Sequence, residues 1–193
     1  ETAITSYGDR RARRAKEEGG REGKLLGWWV DRPVAVLSTI LLGNNITVTS
    51  WRTDWSTAST AVFDQDIQGD NVKAYTGLNN NAYVGIDFSA DQIDATGGGM
   101  THFTMDVFAP AGSMLAVKLV DFGPDGGFGG GDDTEKSLTF HGGTTPPFTT
   151  GQWVTLDIPL TDFAGMNFGN VAQMVLQSIN VGNIWVDNIY FHK

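Results

Sequence analysis

His102–Ala109 reads HFTMDVFA, with apolar Phe103, Met105 and Val107 alternating with polar His102, Thr104 and Asp106. Successive side chains of a β-strand point to opposite sides. The spacing therefore predicts a half-buried antiparallel strand, one face in an apolar interior and the other toward water. Leu115, Val117 and Leu119 repeat the design in LAVKLVDF, Leu115–Phe122.

Outward from this pair, short alternating or continuous apolar stretches are separated by clusters of Gly, Asn, Asp and Pro, the punctuation of strands joined by turns. Further strands are expected at VKAYTG (Val72–Gly77), AYVGIDF (Ala82–Phe88), KSLTFH (Lys136–His141), QWVTLDIPL (Gln152–Leu160), VAQMVLQSI (Val171–Ile179) and NIWVDNIYFH (Asn183–His192). Eight strands make an all-β sandwich. In TDFAGM, Thr161 and Asp162 are placed to begin a short helical turn, and no long helix is expected. The connections lack a βαβ rhythm, which argues against a parallel nucleotide-binding sheet.

The 193 residues suffice for one domain with an appendage but not for two full-sized domains. The 25 glycines and 11% aromatic content fit many tight turns between aromatic-bearing strands. With no cysteine, disulfides, thiolate nucleophiles and thiolate metal sites are excluded. A net charge of −9 argues against nucleic-acid and anionic-membrane partners, both of which demand a basic surface.

The charge is divided unevenly. Eight of the 13 Lys and Arg and six of the 22 acids precede Thr47, leaving five basic and sixteen acidic residues after it. Residues 1–46 therefore read as a separate appendage and 47–193 as the sandwich. Within the appendage, DRRARRAKEEGGREGKLLGWW favours a helix but is interrupted by Gly19, Gly20, Gly23 and Gly27, each costing about 1 kcal/mol in a helix interior. The apolar run Val34–Leu42 has nine residues, about half of the ~20 that cross a bilayer. No signal peptide is legible, because a small-residue cleavage site is missing and the chain does not begin with Met.

Two resemblances follow. ETAITSYGDRRARRAKEEGG with RPVAVLSTILLGNNI resembles the start of the transmembrane domain of CorC-type cation-efflux membrane proteins. That implies either a membrane-proximal anchor or a fusion remnant. WRTDWS, DNVKAYTGLNNNAYVGIDF, MTHFTMDVFAP, KLVDFGPDGGFGGGDDTEKSLTF, TTGQWVTLDIPLTDF and NIWVDNIYFHK resemble, in order, the non-catalytic carbohydrate-binding modules of galactose-binding-like jelly-roll fold appended to secreted bacterial glycoside hydrolases. The resemblance implies an extracellular or cell-surface, monomeric module that binds a polysaccharide or oligosaccharide and targets an enzyme to it. Such modules begin with an additional edge strand before the Trp51 region; here its place is either vacant or filled by VAVLSTILL. The alternatives are a fragment of a cation-efflux membrane protein and a structural or adhesion sandwich.

Catalysis is not signalled. His102, His141 and His192 have no ligand spacing, and neither G-x-S-x-G nor H-E-x-x-H occurs. Sugar binding requires flat aromatic faces for the apolar side of a pyranose ring and polar groups for its hydroxyls. Trp51 and Trp55, in a glycine-free loop, serve either stacking or packing; Tyr75, Tyr83, Phe128 and His141 are further candidates. Trp153 and Trp185 lie within strand patterns and are assigned to the core. The loop Asp121–Glu135 holds six glycines and five acids. It reads as a solvated hairpin loop, a source of sugar contacts through Asp121, Asp132 or Asp133, or hard oxygen ligands for Ca2+, without EF-hand spacing. The jelly-roll resemblance further implies a structural Ca2+ held by Asp187 of the last strand, with Asp64 or Asp66 as partners.

Overall fold

The computed structural model describes residues 47–67, 70–79 and 81–193. The helix expected near the N-terminus, the run Val34–Leu42 and the cation-efflux resemblance lie outside the described residues. Among those described, no helix is long and apolar enough to cross a membrane.

The expected strands form as β2 (Asp70–Thr76), β3 (Tyr83–Asp87), β4 (His102–Phe108), β5 (Met114–Asp121), β6 (Thr134–Phe140), β7 (Trp153–Pro159), β8 (Val171–Ile179) and β9 (Ile184–His192). A ninth, β1 (Ala61–Ile67), precedes them and was not anticipated. Its sequence AVFDQDI puts Val62, Asp64 and Asp66 on one face and Ala61, Phe63, Gln65 and Ile67 on the other, so each face mixes apolar and polar residues, as suits an edge strand. The chain leaves β2 at Gly77, whose φ of +73° brings its Cα so close to the Ser59 carbonyl that a side chain would collide with it. The turn expected at Thr161 and Asp162 is a 3-10 turn, Leu160–Asp162.

Five strands form one antiparallel sheet in the order β1-β2-β9-β4-β7, and four form the other in the order β3-β8-β5-β6. This is a jelly-roll β-sandwich. Phe103, Met105, Val107, Leu156, Ile158, Ile184 and Val186 from the first sheet and Val84, Ile86, Leu115, Val117, Leu119 and Leu176 from the second are buried in one core cluster. Phe103 sits among aromatic rings, edge-on to Phe163 at 6.4 Å and to Phe191 at 5.2 Å.

Among the described residues no regular strand covers the free edge of β3. Residues 50–57 run along it irregularly instead: Ser50 bridges Asp87, Thr53 N–H donates to the Gly85 carbonyl and Thr57 N–H to the Tyr83 carbonyl.

Candidate functional site

The outer face of the five-stranded sheet follows from parity. Where Val107, Val154 and Val186 turn inward, their neighbours Phe108, Trp153 and Trp185 must turn outward. Register then aligns them. Phe63 lies opposite Ala74, Ala74 opposite Trp185, Trp185 opposite Phe108, and Phe108 opposite Trp153, one straight row across all five strands. At about 4.8 Å per strand the row is about 19 Å long. Phe108 lies 5.6 Å from Trp185 and 5.8 Å from Trp153, centroid to centroid. Phe63 and Trp153, at the two ends, are 47% and 42% exposed. The Trp185 indole N–H donates to Gln65 Oε1 at 2.7 Å, which holds this ring above the buried Val72 and Ala74.

Beside the aromatic row the same face is polar. Asp106 accepts from Thr155 Oγ1 at 2.5 Å and from Asn188 Nδ2 at 2.8 Å. Asp157 Oδ1 accepts from Thr104 Oγ1 at 2.7 Å and from His192 Nε2 at 2.9 Å. The His102 and His192 rings stack at 5.1 Å, and Tyr190 leans on His192 at 5.6 Å. A β-bulge makes this possible: Thr104 pairs with Tyr190 but Asp106 with Asp187, so residues 188 and 189 of β9 face only Met105. Without that shift Tyr190 and His192 would point into the core. Burial pushes the Tyr190 hydroxyl pKa up, with a further contribution from the charges of Asp106 and Asp157.

For Asp157, burial disfavours the charge, but hydrogen bonds from Thr104 and His192 and the positive charge of His192 and His102 outweigh it, so its pKa lies below the ordinary carboxylate value. A lowered folded pKa stabilises the fold above the unfolded value near 3.9, and that contribution disappears as pH falls through the folded value. Asp157→Asn is therefore expected to unfold at lower urea concentration than the parent at about pH 6, with the gap closing as the pH falls below the ordinary carboxylate value of about 3.9. A gap that persists undiminished in acid contradicts this assignment.

The residues singled out from sequence are dispersed. Tyr75 is fully buried, its hydroxyl donating to the Trp51 carbonyl at 3.1 Å, so it offers no surface for stacking. Burial, with the nearby Asp64 charge, pushes its pKa far up. Trp51 turns inward against the core with the Lys73 ammonium 4.8 Å over its ring, whereas Trp55 turns outward beside Tyr83. Phe128 is exposed at the loop tip, 5.6 Å from Phe122. His141 occupies a turn, its Nδ1 accepting from Gly143 N–H at 3.0 Å.

Within the acidic loop, Asp132 Oδ2 and Asp133 Oδ2 accept from the amides of Asp125 and Gly129. Asp121 is buried, with Oδ1 accepting from Gly123 N–H at 2.9 Å and Oδ2 from Asn170 N–H at 2.7 Å. It is a structural staple and not a surface contact. Asp121→Ala leaves both amides without an acceptor and is expected to cost about 1–3 kcal/mol, read from the urea midpoint. A loss below about 0.5 kcal/mol, within the range of ordinary surface substitutions, contradicts that role.

The three acids expected to hold Ca2+ are not brought together. Asp64 and Asp66 share the Val62 side of β1, with Asp64 paired to Lys73, while Asp187 projects from the opposite face of the sheet, in phase with Trp185. Among the described residues no group of three acidic or histidine side chains is arranged to hold a metal ion.

Phe63, Phe108, Trp153 and Trp185 were missed or assigned to the core. The signal was parity: Trp153 is in phase with Thr155 and Asp157, Phe108 with Thr104 and Asp106, and Trp185 with Asp187.

No family profile matches the chain, and no match was found among curated proteins. Solved structures do match. A family 30 carbohydrate-binding module of a cellulosomal cellulase of Clostridium thermocellum aligns with 76% of this chain and 92% of its own, at TM-score 0.57 and 12% identity. A second structure of a family 30 module covers 77% and 96%, at TM-score 0.57 and 13% identity. A family 28 module described as specific for non-crystalline cellulose covers 73% and 86%, at TM-score 0.50 and 14% identity. These likenesses establish the fold.

Proposed function

We propose that the protein is a non-catalytic module that binds a linear, neutral polysaccharide across the outer face of its five-stranded sheet. The observation that carries this reading is the row Phe63–Trp185–Phe108–Trp153. Aromatic rings in line across a sheet offer successive apolar faces to the C–H faces of sugar rings, and the adjoining carboxylates, hydroxyls and imidazoles offer partners to their hydroxyls. Asp106, Asp157 and Asp187 on the same face, in a chain of net charge −9, favour uncharged sugars over uronates or sulfated glycans. The structural neighbours, carbohydrate-binding modules of which one takes non-crystalline cellulose, make β-glucans the first ligands to test. On this reading the module acts outside the cell and docks an attached enzyme on its substrate, with affinities of about µM to mM.

Affinity electrophoresis of the full chain through gels containing hydroxyethylcellulose, mixed-linkage β-glucan, xylan or glucomannan tests the reading. Retardation by at least one of them is expected. Unretarded migration through all four rejects it, as does release of sugars from any of them.

A further inference from the structure

A second aromatic surface lies on the other sheet. In β3, Val84 and Ile86 are buried in the core, so Tyr83, Gly85 and Asp87 face outward. Trp55 lies over this strand: a Cβ built on Gly85 would collide with the six-membered ring of its indole, so only glycine admits the ring there. The Trp55 and Tyr83 rings lie 25° from parallel with centroids 6.3 Å apart, and they are 41% and 39% exposed. Together these two nearly parallel, partly exposed rings form an aromatic ledge.

The ledge is rigidly mounted. Thr53 and Thr57 donate backbone N–H groups to the Gly85 and Tyr83 carbonyls at 3.0 Å. In return Gly85 N–H donates to Ser56 Oγ and Tyr83 N–H to Thr57 Oγ1, both at 3.0 Å, and the hydroxyls of Thr53 and Ser56 bond each other. Ser56 and Thr53 are themselves buried. The backbone that carries the two rings is thus held by a hydrogen-bonded clamp, and the Trp55 ring packs onto Gly85, while about two-fifths of each residue stays exposed. Gln177, partly exposed, sits directly opposite Tyr83 and can offer an amide donor and acceptor at the rim; beyond it come the small Ala116 and then Thr139. An apolar flat surface with a hydroxyl- and amide-bearing border complements a pyranose ring, whose C–H face is apolar and whose equatorial edge is polar. Fixing the rings in advance removes an ordering cost from binding.

We infer that Trp55 and Tyr83 form a second sugar-stacking site, for a pyranose unit of a neutral glycan, on the sheet opposite the aromatic row, so that one module engages two polysaccharide strands or two stretches of one. Two rings offer less contact than four, so this site is the weaker, with a dissociation constant of about 1 mM or above. Two weak sites on opposite faces raise retention on a multivalent polysaccharide beyond what either gives with short oligosaccharides.

The test is titration of the 15N-labelled full chain with cellotetraose, xylotetraose and mannotetraose to about 20 mM, well above the expected constant. The indole N–H signals are followed in the parent and in the Trp153→Ala/Trp185→Ala double variant. The Trp55 indole and the Tyr83 amide are expected to shift with at least one sugar in both proteins, along an isotherm weaker than that of Trp153 and Trp185. Trp55→Ala is expected to abolish the Tyr83 shift and leave the Trp153 shift in place. Should the double variant not fold, the parent alone decides, because each indole reports its own site. Movement of Trp153 and Trp185 with a stationary Trp55 overturns the second site and spares the first; stationary signals everywhere overturn both. A Trp55 signal that moves with protein concentration and not with sugar marks self-association and also overturns the proposal.

Discussion

Trp153→Ala is expected to weaken retention in a glucan gel by roughly 10- to 150-fold, corresponding to about 1.5–3 kcal/mol of a stacking contact at a binding hot spot. The residue suits the test because its ring is 42% exposed at the end of the row and is absent from the core cluster, so truncation removes a platform and little packing. The melting temperature is expected to move by no more than a few degrees. Trp185→Ala should lose at least as much binding but also some stability, since that ring roofs Val72 and Ala74 and is held by Gln65. Gln65→Ala is the finer probe. It frees the Trp185 ring without removing it, and the Trp185 indole signal should shift and broaden. Retention of Trp153→Ala equal to that of the parent would mean that the row is not where the polysaccharide lies.

Phe103→Ala is expected to cost about 3–5 kcal/mol, the range for removing a buried phenyl ring from a packed core. Phe103 is 2% exposed and touches Phe163 and Phe191 edge-on, and Phe163 in turn meets Phe168 at 6.1 Å, so the loss leaves a cavity lined by rings too large to collapse into it. Against a total stability of about 5–15 kcal/mol this is a large fraction. Phe103→Leu keeps most of the volume and should cost no more than about 1.5 kcal/mol. Urea midpoints with an unchanged m-value measure both. A cost for Phe103→Ala below that of Phe103→Leu would show that the ring is not at the centre of the packing.

How far the site was legible depends on the same alternation that made β4 legible. Phe103, Met105 and Val107 announce their own burial, and by the same count Phe108 announces its exposure, a half of the pattern that is easy to pass over because aromatic residues are so often buried. Trp153 and Trp185 carry the same information and were nevertheless read as core. β1 is the opposite case. At an edge neither face is fully covered, so AVFDQDI is held to no strict alternation and leaves little trace.

Tyr75 shows where local pattern misleads. It is in phase with Lys73, and Val72 and Ala74 are the residues that look interior. The structure buries all three, because the Tyr75 side of β2 faces the other sheet while Val72 and Ala74 lie beneath the Trp185 ring and its neighbours on the outer face.

Composition and period-two alternation alone were enough to indicate a β-sandwich over residues 47–193, eight of its nine described strands, and which side chains within those strands share a face. Strands and shared faces are local properties of a pleated backbone and do not depend on what lies across the sheet. Which strands become neighbours, and in what register, was decided only by long-range pairing: it lined up Phe63, Trp185, Phe108 and Trp153 from residues up to 122 positions apart, tied Asp121 to Asn170, and set Asp187 on the opposite side of the sheet from Asp64 and Asp66. Strand partners are chosen by the joint burial of both sheets in one core, a property of the whole chain that no single stretch of it carries.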